Sequence, residues 1–359
     1  MPMSFACLPR LCSIFGVAAL VVALAGSTHA ITIDWVTVGD AGNAADTDPS
    51  GFGDVSTAFQ IMKYEFTNQQ YVDFLNSVAT VSDTVNYYAP VAQGGDARCG
   101  VIRSGAAGSY TYAVKQNMGD KPVNVVSALD VARVCNWLHN GATGTSSTET
   151  GAYTLNGQTT GIFPQPNLGA RYSLPTEDQW YKAAYYKGSG TNAGYWNYAT
   201  QSDSIPGKTT SGTTGVGSRP LGTGNFANFA LSVDWNSFDG NVTTVGTNGV
   251  SSAYGAFDMT GNLWEWTSGT GASGSILVTR GAAWDSADNP NPMSSASSRL
   301  NKSAAEGANT IGFRIVSVPE PSTCVMALAG LAYGGYSLVW RRRARPGCTR
   351  PAHQDSRSN

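Results

Sequence analysis

The spacing of apolar residues near the start of the chain predicts two strands followed by a helix. Residues 31–38 and 59–64 are short runs rich in β-branched and aromatic residues and bounded by turn residues, as is typical of strands. A helix is predicted to begin after Thr67, whose hydroxyl suits the cap position. The apolar face of this helix consists of Tyr71, Phe74, Leu75 and Val78.

Two further helices are predicted later in the chain. The first covers residues 127–139, with Ser127 as its cap and Asn140-Gly141 as its end. The second starts at Pro175-Thr176-Glu177, with proline placed in its first turn. Residues 188–318 are rich in Gly, Asn, Ser and Thr and predict irregular coil with short strands. The whole pattern indicates two or three helices, short strands and much loop.

The N-terminal segment has the three parts of a secretory signal. Arg10 precedes the apolar run Leu11–Ala25, and Thr28-His29-Ala30 offers small residues at the cleavage positions. Residues 1–30 are therefore predicted to be a signal peptide that is cleaved after Ala30. This places the rest of the chain outside the cytoplasm.

The C-terminal segment, residues 318–345, reads as a membrane-sorting tail. Pro319, Glu320 and Pro321 precede the uncharged run Thr323–Trp340, and three arginines follow it. The run is at the short end for a transmembrane helix, and the arginines favour the cytoplasmic side. The tail resembles the bacterial PEP-CTERM sorting signal, which implies an exosortase-type sorting protease as partner and only transient anchoring in the inner membrane. A permanent membrane anchor is the alternative.

Composition narrows the function of the body between these two signals. Residues 31–318 contain 15 basic and 22 acidic residues, a net charge of −7, which disfavours nucleic acid as a partner. Four of the six cysteines lie in the two signals, so Cys99 and Cys135 remain. Whether these two form a disulfide in an oxidising compartment stays open.

Six ordered sequence blocks then identify a family. The blocks are KYEFTNQQYVDFLN at 63–76, PVNVVSALDVARVCNWL at 122–138, RYSLPTEDQWYKAAYY at 171–186, YGAFDMTGNLWEWT at 254–267, RGAAW at 280–284 and IGFRIVS at 311–317. With these blocks, residues 31–317 resemble the formylglycine-generating enzyme (sulfatase-modifying factor) family. The resemblance implies an α+β fold, the family's elaboration of a C-type-lectin-like core.

The chain departs from this family where its chemistry resides. In active members two cysteines that bind copper follow the block equivalent to RGAAW, and here those positions hold Ser286 and Asn291. Serine and asparagine lack the soft thiolate that copper(I) requires. An iron site of two histidines and a carboxylate is also disfavoured, because His139 is the single histidine of the body. We therefore expect neither copper nor iron, and no formylglycine-generating activity.

The family resemblance does imply calcium, which prefers several oxygen ligands. Matched position by position, the first site takes side-chain or carbonyl oxygens from Asp258, Gly261, Leu263 and Glu265. The second site takes them from Asn228, Phe229, Asp239 and Asn241. Both sites are expected to be structural. The alternative for the first segment is a turn closed by Asp258 with Glu265 in a salt bridge.

The leading hypothesis is a non-catalytic, calcium-stabilised binding domain that is sorted to the bacterial envelope or extracellular matrix. Its ligand, a polysaccharide or a protein, is expected at the loop Asp285–Asn309, which replaces the catalytic segment. One alternative is a metal-dependent oxidoreductase with a relocated active site that uses Cys99 or Cys135. The other is a structural matrix protein without a discrete ligand.

Overall fold

The fold is taken from a computed structural model of the whole chain. The structure describes residues 31–48, 51–88, 95–219, 224–271, 273–287 and 296–318. Its strands are β1 (Trp35–Val38), β2 (Phe59–Met62), β3 (Val101–Ser104), β4 (Thr111–Val114), β5 (Tyr172–Ser173), β6 (Gly207–Lys208), β7 (Phe226–Ala227), β8 (Trp264–Thr270), β9 (Ile276–Arg280), β10 (Leu300–Ser303), β11 (Ile311–Gly312) and β12 (Val316–Ser317). Its helices are α1 (Asn68–Val78), α2 (Ala128–His139) and α3 (Glu177–Tyr185).

Two four-stranded sheets organise the described residues. In the first, the order is β1-β2-β12-β5, so the strand nearest the C-terminus lies between two others. In the second, the order is β10-β9-β8-β11, with β11 parallel to β8 and the other pairs antiparallel. The predicted strands at 31–38 and 59–64 are confirmed as β1 and β2, although each is shorter than its apolar run.

The three helices begin as their sequences predict. The side chains of Thr67, Ser127 and Thr176 each accept a hydrogen bond from the backbone N–H three residues later. The backbone N–H of each cap residue in turn donates to the side chain of that later residue, so both N–H groups at the helix start are satisfied. The placement of Pro175 in the first turn of α3 was wrong, because Thr176 is the cap and the helix begins at Glu177. Pro175 therefore precedes the cap, where its missing N–H costs no helical hydrogen bond.

Five aromatic residues of the six blocks lie in the core. Trp180 and Trp266 are completely buried, and Trp264, Trp284 and Phe313 are at most 5% exposed. Burying such large side chains is the main favourable term for a body with so much loop.

Two glycines have a demonstrable backbone role. Gly261 has φ +85°, and a Cβ there would lie 2.3 Å from the carbonyl oxygen of Asn228. At Gly312 a Cβ would lie 2.7 Å from the carbonyl oxygen of Val123. Both positions exclude any side chain, so the segments on either side can approach closely.

Candidate functional site

The segment predicted to bind calcium leads directly into β8. Glu265 lies on β8, opposite Arg280 on the neighbouring strand β9. Although Glu265 and Arg280 face each other across the strands, they do not pair with each other. Glu265 pairs with Arg314, and Arg280 pairs with Glu177. Two separate charge centres result, which we call the Arg314 centre and the Glu177 centre.

The Arg314 centre is an ion pair with no exposed atom in either side chain. The Arg314 Nε and Nη2 atoms donate to the two carboxylate oxygens of Glu265, each at 2.6 Å. The indole Nε1 of Trp180 donates to the same carboxylate at 2.8 Å. The remaining Arg314 donors reach the carbonyls of Phe257 and Met62 at 2.8 and 3.1 Å. Every polar group of this pair is thereby satisfied.

Two further buried carboxylates surround this ion pair. Asp258 accepts hydrogen bonds from the Gly246 backbone N–H and from Asn248 Nδ2. Glu65 accepts one hydrogen bond, from Asn262 Nδ2 at 2.7 Å, and its second oxygen, Oε1, has no hydrogen-bond partner. The Arg314 centre therefore contains one guanidinium and three carboxylates.

Burial and neighbouring charges raise the pKa of two of these carboxyl groups. Burial raises the pKa of Glu65 well above its usual range, and the charges of Asp258 and Glu265 raise it further. Burial also raises the pKa of Asp258, although its hydrogen bonds with Gly246 and Asn248 oppose this shift. Glu65 and Asp258 therefore hold a proton more readily than isolated carboxyl groups do.

The first predicted calcium set does not fit the ion in this arrangement. Both oxygens of Glu265 are occupied by Arg314, and both oxygens of Asp258 already accept hydrogen bonds. A guanidinium beside the ligands would also repel a divalent cation. The geometry here matches the salt-bridge alternative for Glu265.

The second predicted set is partly brought together. Asn228 is fully buried, and its Nδ2 donates to the carbonyl oxygen of Asn241 at 2.8 Å, so these two ligands are brought together. The Asn228 Oδ1 atom is buried without a hydrogen-bond partner, which is the type of oxygen a hard cation would use. Phe229 follows in the same buried segment, whereas Asp239 is exposed at the surface.

The Glu177 centre has the opposite charge balance. The Glu177 carboxylate, at the start of α3, accepts from Arg280 Nε and Nη2 at 2.9 and 2.6 Å. It also accepts from Arg299 Nε and Nη2 at 2.6 and 2.7 Å. Both guanidinium groups lie over the ring of Phe52, at 4.6 and 5.2 Å from its centre. One carboxylate thus holds two arginines, and Arg299 is 36% exposed.

In the segment that follows β9, the Ser286 side chain closes a turn. The Ser286 Oγ atom accepts from the backbone N–H of Ala283 at 2.9 Å, and the Ser286 N–H donates to the Ala283 carbonyl at 3.0 Å. Ser286 is 5% exposed. Asn291, the second position aligned with a cysteine, lies outside the described residues.

A polar and aromatic surface adjoins this turn. The Arg98 guanidinium lies between the rings of Phe238 and Trp284, at 4.5 and 4.6 Å from their centres. Its Nη2 and Nε donate to the carbonyls of Asp239 and Gly240. We call Arg98, Phe238, Trp284 and the neighbouring Asp285 the Arg98 surface.

The environments of the two cysteines in the body differ from those of reactive cysteines. Cys99 and Cys135 are both buried and unpaired. Burial raises the pKa of the Cys99 thiol to about 12 and also raises that of Cys135. Since the thiolate is the nucleophile and the metal ligand, both positions are unfavourable for redox or metal chemistry.

The remaining predicted positions are His139 and the residues of the C-terminal tail. The Nδ1 atom of His139, the last residue of α2, accepts from the Arg171 backbone N–H at 3.2 Å, which is a structural role. Pro319, Glu320, Pro321 and the apolar run 323–340 lie outside the described residues. No helix in the described part of the chain is long and apolar enough to cross a membrane.

Sequence reasoning missed the buried partners at both charge centres. Glu65, Glu177, Arg280 and Arg314 all stand inside the six family blocks, so charged residues embedded in aromatic blocks were the available signal. Their pairing was not visible, because Arg314 lies 49 residues from Glu265 and Arg280 lies 103 residues from Glu177.

Comparisons with known proteins identify two regions. Residues 30–318 match the family described as "Sulfatase-modifying factor enzyme 1-like domain", and residues 317–343 match the PEP-CTERM protein-sorting motif. A 68-residue stretch is 37% identical to the mouse (Mus musculus) protein "Inactive C-alpha-formylglycine-generating enzyme 2" and covers 18% of this chain. The match spans 22% of the length of that curated relative.

Solved structures show a similar fold. The crystal structure of CarF is similar over 80% of this chain and 99% of its own, with 22% sequence identity and a TM-score of 0.50. PvdO from Pseudomonas aeruginosa covers 80% of this chain and 92% of its own, with 17% identity and a TM-score of 0.40. The expected α+β, formylglycine-generating-enzyme-like fold with three helices and short strands is confirmed.

Proposed function

The chain belongs to the family of sulfatase-modifying factor enzyme 1-like domains, and on that premise we propose that its body is a non-catalytic, calcium-stabilised binding domain. Its PEP-CTERM motif implies processing by the exosortase system and a secreted, envelope-sorted protein. The observation that carries the proposal is Ser286. It stands where active relatives have a copper-binding thiol, and its hydroxyl is used to close a turn.

The non-catalytic assignment has two further supports. Cys99 and Cys135 are buried with raised pKa values, which disfavours an oxidoreductase with a relocated thiol site. The mouse relative that matches part of the chain is itself named as inactive. Incubating the purified body with copper and a cysteine-containing sulfatase peptide tests this point, since formylglycine in the peptide would overturn it.

We propose the Arg98 surface as the centre of ligand binding. It adjoins Ser286 and combines an exposed aromatic edge with an exposed polar group, because Phe238 is 37% exposed and Asp285 is exposed. Aromatic rings with nearby hydrogen-bonding groups bind both sugars and peptides. The ligand class we propose is an extracellular polysaccharide or an envelope protein.

Binding is tested with the matrix polysaccharide and the envelope protein fraction of the producing bacterium as separate probes. Phe238→Ser is expected to weaken binding by about tenfold, the loss of one well-placed aromatic contact. Val216→Ser, at another exposed apolar residue that is 46% exposed, is the matched control and should bind as the original chain does. Equal binding by all three proteins would exclude this surface.

Calcium is proposed as a structural cofactor, with Asn228 and Asn241 as the supported ligands and Asp239 as the added carboxylate. Calcium at millimolar concentration is expected to raise the melting temperature relative to chelator, because the ion binds only the folded state. Asp239→Ala should abolish this shift without lowering the melting temperature in chelator, since Asp239 is exposed.

Two variants sharpen the calcium test. Glu306→Ala, at an exposed carboxylate, should keep the calcium-dependent shift of the original chain. Glu265→Ala should melt at a lower temperature, both with calcium and with chelator, because it strands the Arg314 guanidinium. Identical melting of the original chain in calcium and chelator would remove calcium from the proposal.

A further inference from the structure

The last strand of the body, β12, lies inside the first sheet, so the chain leaves the body from between two neighbouring strands. β12 pairs with β2 on one side and with β5 on the other. The next residue, Val318, still donates its N–H to the carbonyl oxygen of Arg171 at 3.3 Å, and its side chain is 64% exposed. The chain is therefore held in the folded body up to the residue before Pro319.

Little chain separates this point from the apolar run of the tail. Four residues, 319–322, lie between Val318 and Thr323. Fully extended, they allow a reach of about 17 Å from Val318 to Thr323. The headgroup layer on each side of a bilayer is about 5–8 Å thick. This inference rests on the proposed envelope sorting of the chain and on the membrane span that the sequence predicts for residues 323–340. With that span in the bilayer, the point of exit lies within about 10 Å of the headgroup surface.

The strand register identifies the surface around this exit. Ser317 pairs with Gln60 on β2 and with Tyr172 on β5, so Val318 is level with the start of both strands. Residues 56–58 precede β2 and residues 168–171 precede β5, and both segments therefore flank the exit. We call residues 56–58, 168–171 and Val318 the exit rim.

The exit rim differs from the rest of the body in charge. It contains no carboxylate and one charged residue, Arg171, whereas the body as a whole has a net charge of −7. Leu168 is completely exposed at this rim. Asp40 follows β1 at the same end of the sheet, but its two carboxylate oxygens accept from Tyr254 and from the Gly190 backbone.

One aromatic residue beside the rim is of a type found at membrane surfaces. Tyr172 follows Arg171 in the chain, and the Arg171 guanidinium lies 5.6 Å from the centre of the Tyr172 ring. Tyrosine favours the interface between lipid and water, and arginine interacts with lipid phosphates.

We propose that the exit rim rests against the phospholipid headgroups of the membrane while the tail is still anchored. The short tether keeps the body at the bilayer, and the acidic remainder of the body is repelled by anionic lipid. The rim is the end of the sheet that combines proximity, exposed Leu168 and a single positive charge.

The test uses the chain from residue 31 onward, with its tail intact and with Cys324 and Cys348 replaced by serine. Leu168→Cys is labelled with a fluorophore, and the chain is placed in phosphatidylethanolamine–phosphatidylglycerol nanodiscs that contain a headgroup quencher. Thr32→Cys is the matched control, because Thr32 is exposed and precedes β1 at the opposite end of the same sheet. Cys99 and Cys135 are buried and should not be labelled.

The expected result is strong quenching of the Leu168 label and little quenching of the Thr32 label. Equal quenching at both positions, or none at either while the chain remains in the nanodisc, would overturn the proposal and leave the anchoring intact. A chain that does not enter nanodiscs would instead overturn the anchoring itself, and the rim proposal with it.

A variant with a longer tether tests whether the short tether is what orients the body against the membrane. A flexible Gly-Ser insertion of about twelve residues between Val318 and Pro319 lets the body move well away from the bilayer. The difference between the two labels is expected to disappear in this variant. If the difference persists unchanged, the short tether does not orient the body and the proposal is wrong.

Discussion

The Arg314 centre and the Glu177 centre lie on adjacent strands and have opposite charge balance. Glu265 and Arg280 face each other across β8 and β9, yet Glu265 pairs with Arg314 and Arg280 pairs with Glu177. The first centre has three carboxylates for one guanidinium and is completely buried. The second has two guanidinium groups for one carboxylate and reaches the surface at Arg299.

Helix α3 contributes to both centres. Glu177, in its first turn, holds the two arginines, and Trp180, one turn later, donates its indole N–H to Glu265. A helix that contacts both strands in this way fixes which partner each charge takes. The two centres therefore have different structural roles. The Arg314 centre connects distant segments within the core, and the Glu177 centre connects β9 and Arg299 to α3.

The largest effect is expected from breaking the buried pair at the Arg314 centre. Arg314→Met should lower the free energy of unfolding by about 3–5 kcal/mol, because three buried carboxylates lose their cation. Urea denaturation followed by tryptophan fluorescence measures this change. Adding Glu265→Gln to Arg314→Met should recover part of the loss. A loss below about 1 kcal/mol would show that the pair is not the main support of this core.

The second largest effect is expected at Glu177. Glu177→Gln removes the charge shared by Arg280 and Arg299, and it leaves Arg280 buried without a counter-ion. The free energy of unfolding should fall by about 3 kcal/mol. Limited proteolysis should also cut the chain faster within residues 285–299, since one anchor of that loop is lost. Unchanged proteolysis would separate the Glu177 centre from the loop.

A smaller effect is expected from the exposed arm of the same centre. Arg299→Gln should lower the free energy of unfolding by about 1 kcal/mol or less, because Arg299 is 36% exposed and Arg280 still pairs with Glu177. The same urea titration measures it. Should Arg299→Gln cost as much as Glu177→Gln, Arg299 would have to be the principal partner of this carboxylate.

The smallest expected effect concerns how the free energy of unfolding depends on pH. Because burial raises the pKa of Glu65, the folded state keeps a proton that the unfolded state releases. The resulting stability is fully present below about pH 4.3, the ordinary pKa of glutamate, and is lost as the pH rises through the folded pKa. Glu65→Gln should flatten this decline, with a residual slope from Asp258.

Arg299→Gln is the control for this titration, because it leaves the Arg314 centre intact. Its free energy of unfolding should fall with rising pH by the same amount as in the original chain. If Glu65→Gln and the original chain have parallel pH profiles, Glu65 does not carry the raised pKa.

Local sequence determined the helices and the outline of the fold. Thr67, Ser127 and Thr176 each stand three residues before their capping partner, and this short-range geometry requires no tertiary contact. The six blocks likewise identified the family and the aromatic core, because their order and spacing are carried by the chain itself. The sequence also shows directly that residues 280–317 contain no cysteine.

Tertiary structure alone decided which charges meet. The sequence contains Asp258 and Glu265 in a calcium-like segment, but Arg314, 49 residues away, takes both oxygens of Glu265. The tertiary structure also brings Asn228 beside Asn241 and leaves the Asn228 Oδ1 atom without a hydrogen-bond partner, while Asp239 remains at the surface. The physical reason is range: capping and apolar periodicity act within a few residues, whereas a buried ion pair depends on how distant strands are brought together in the core.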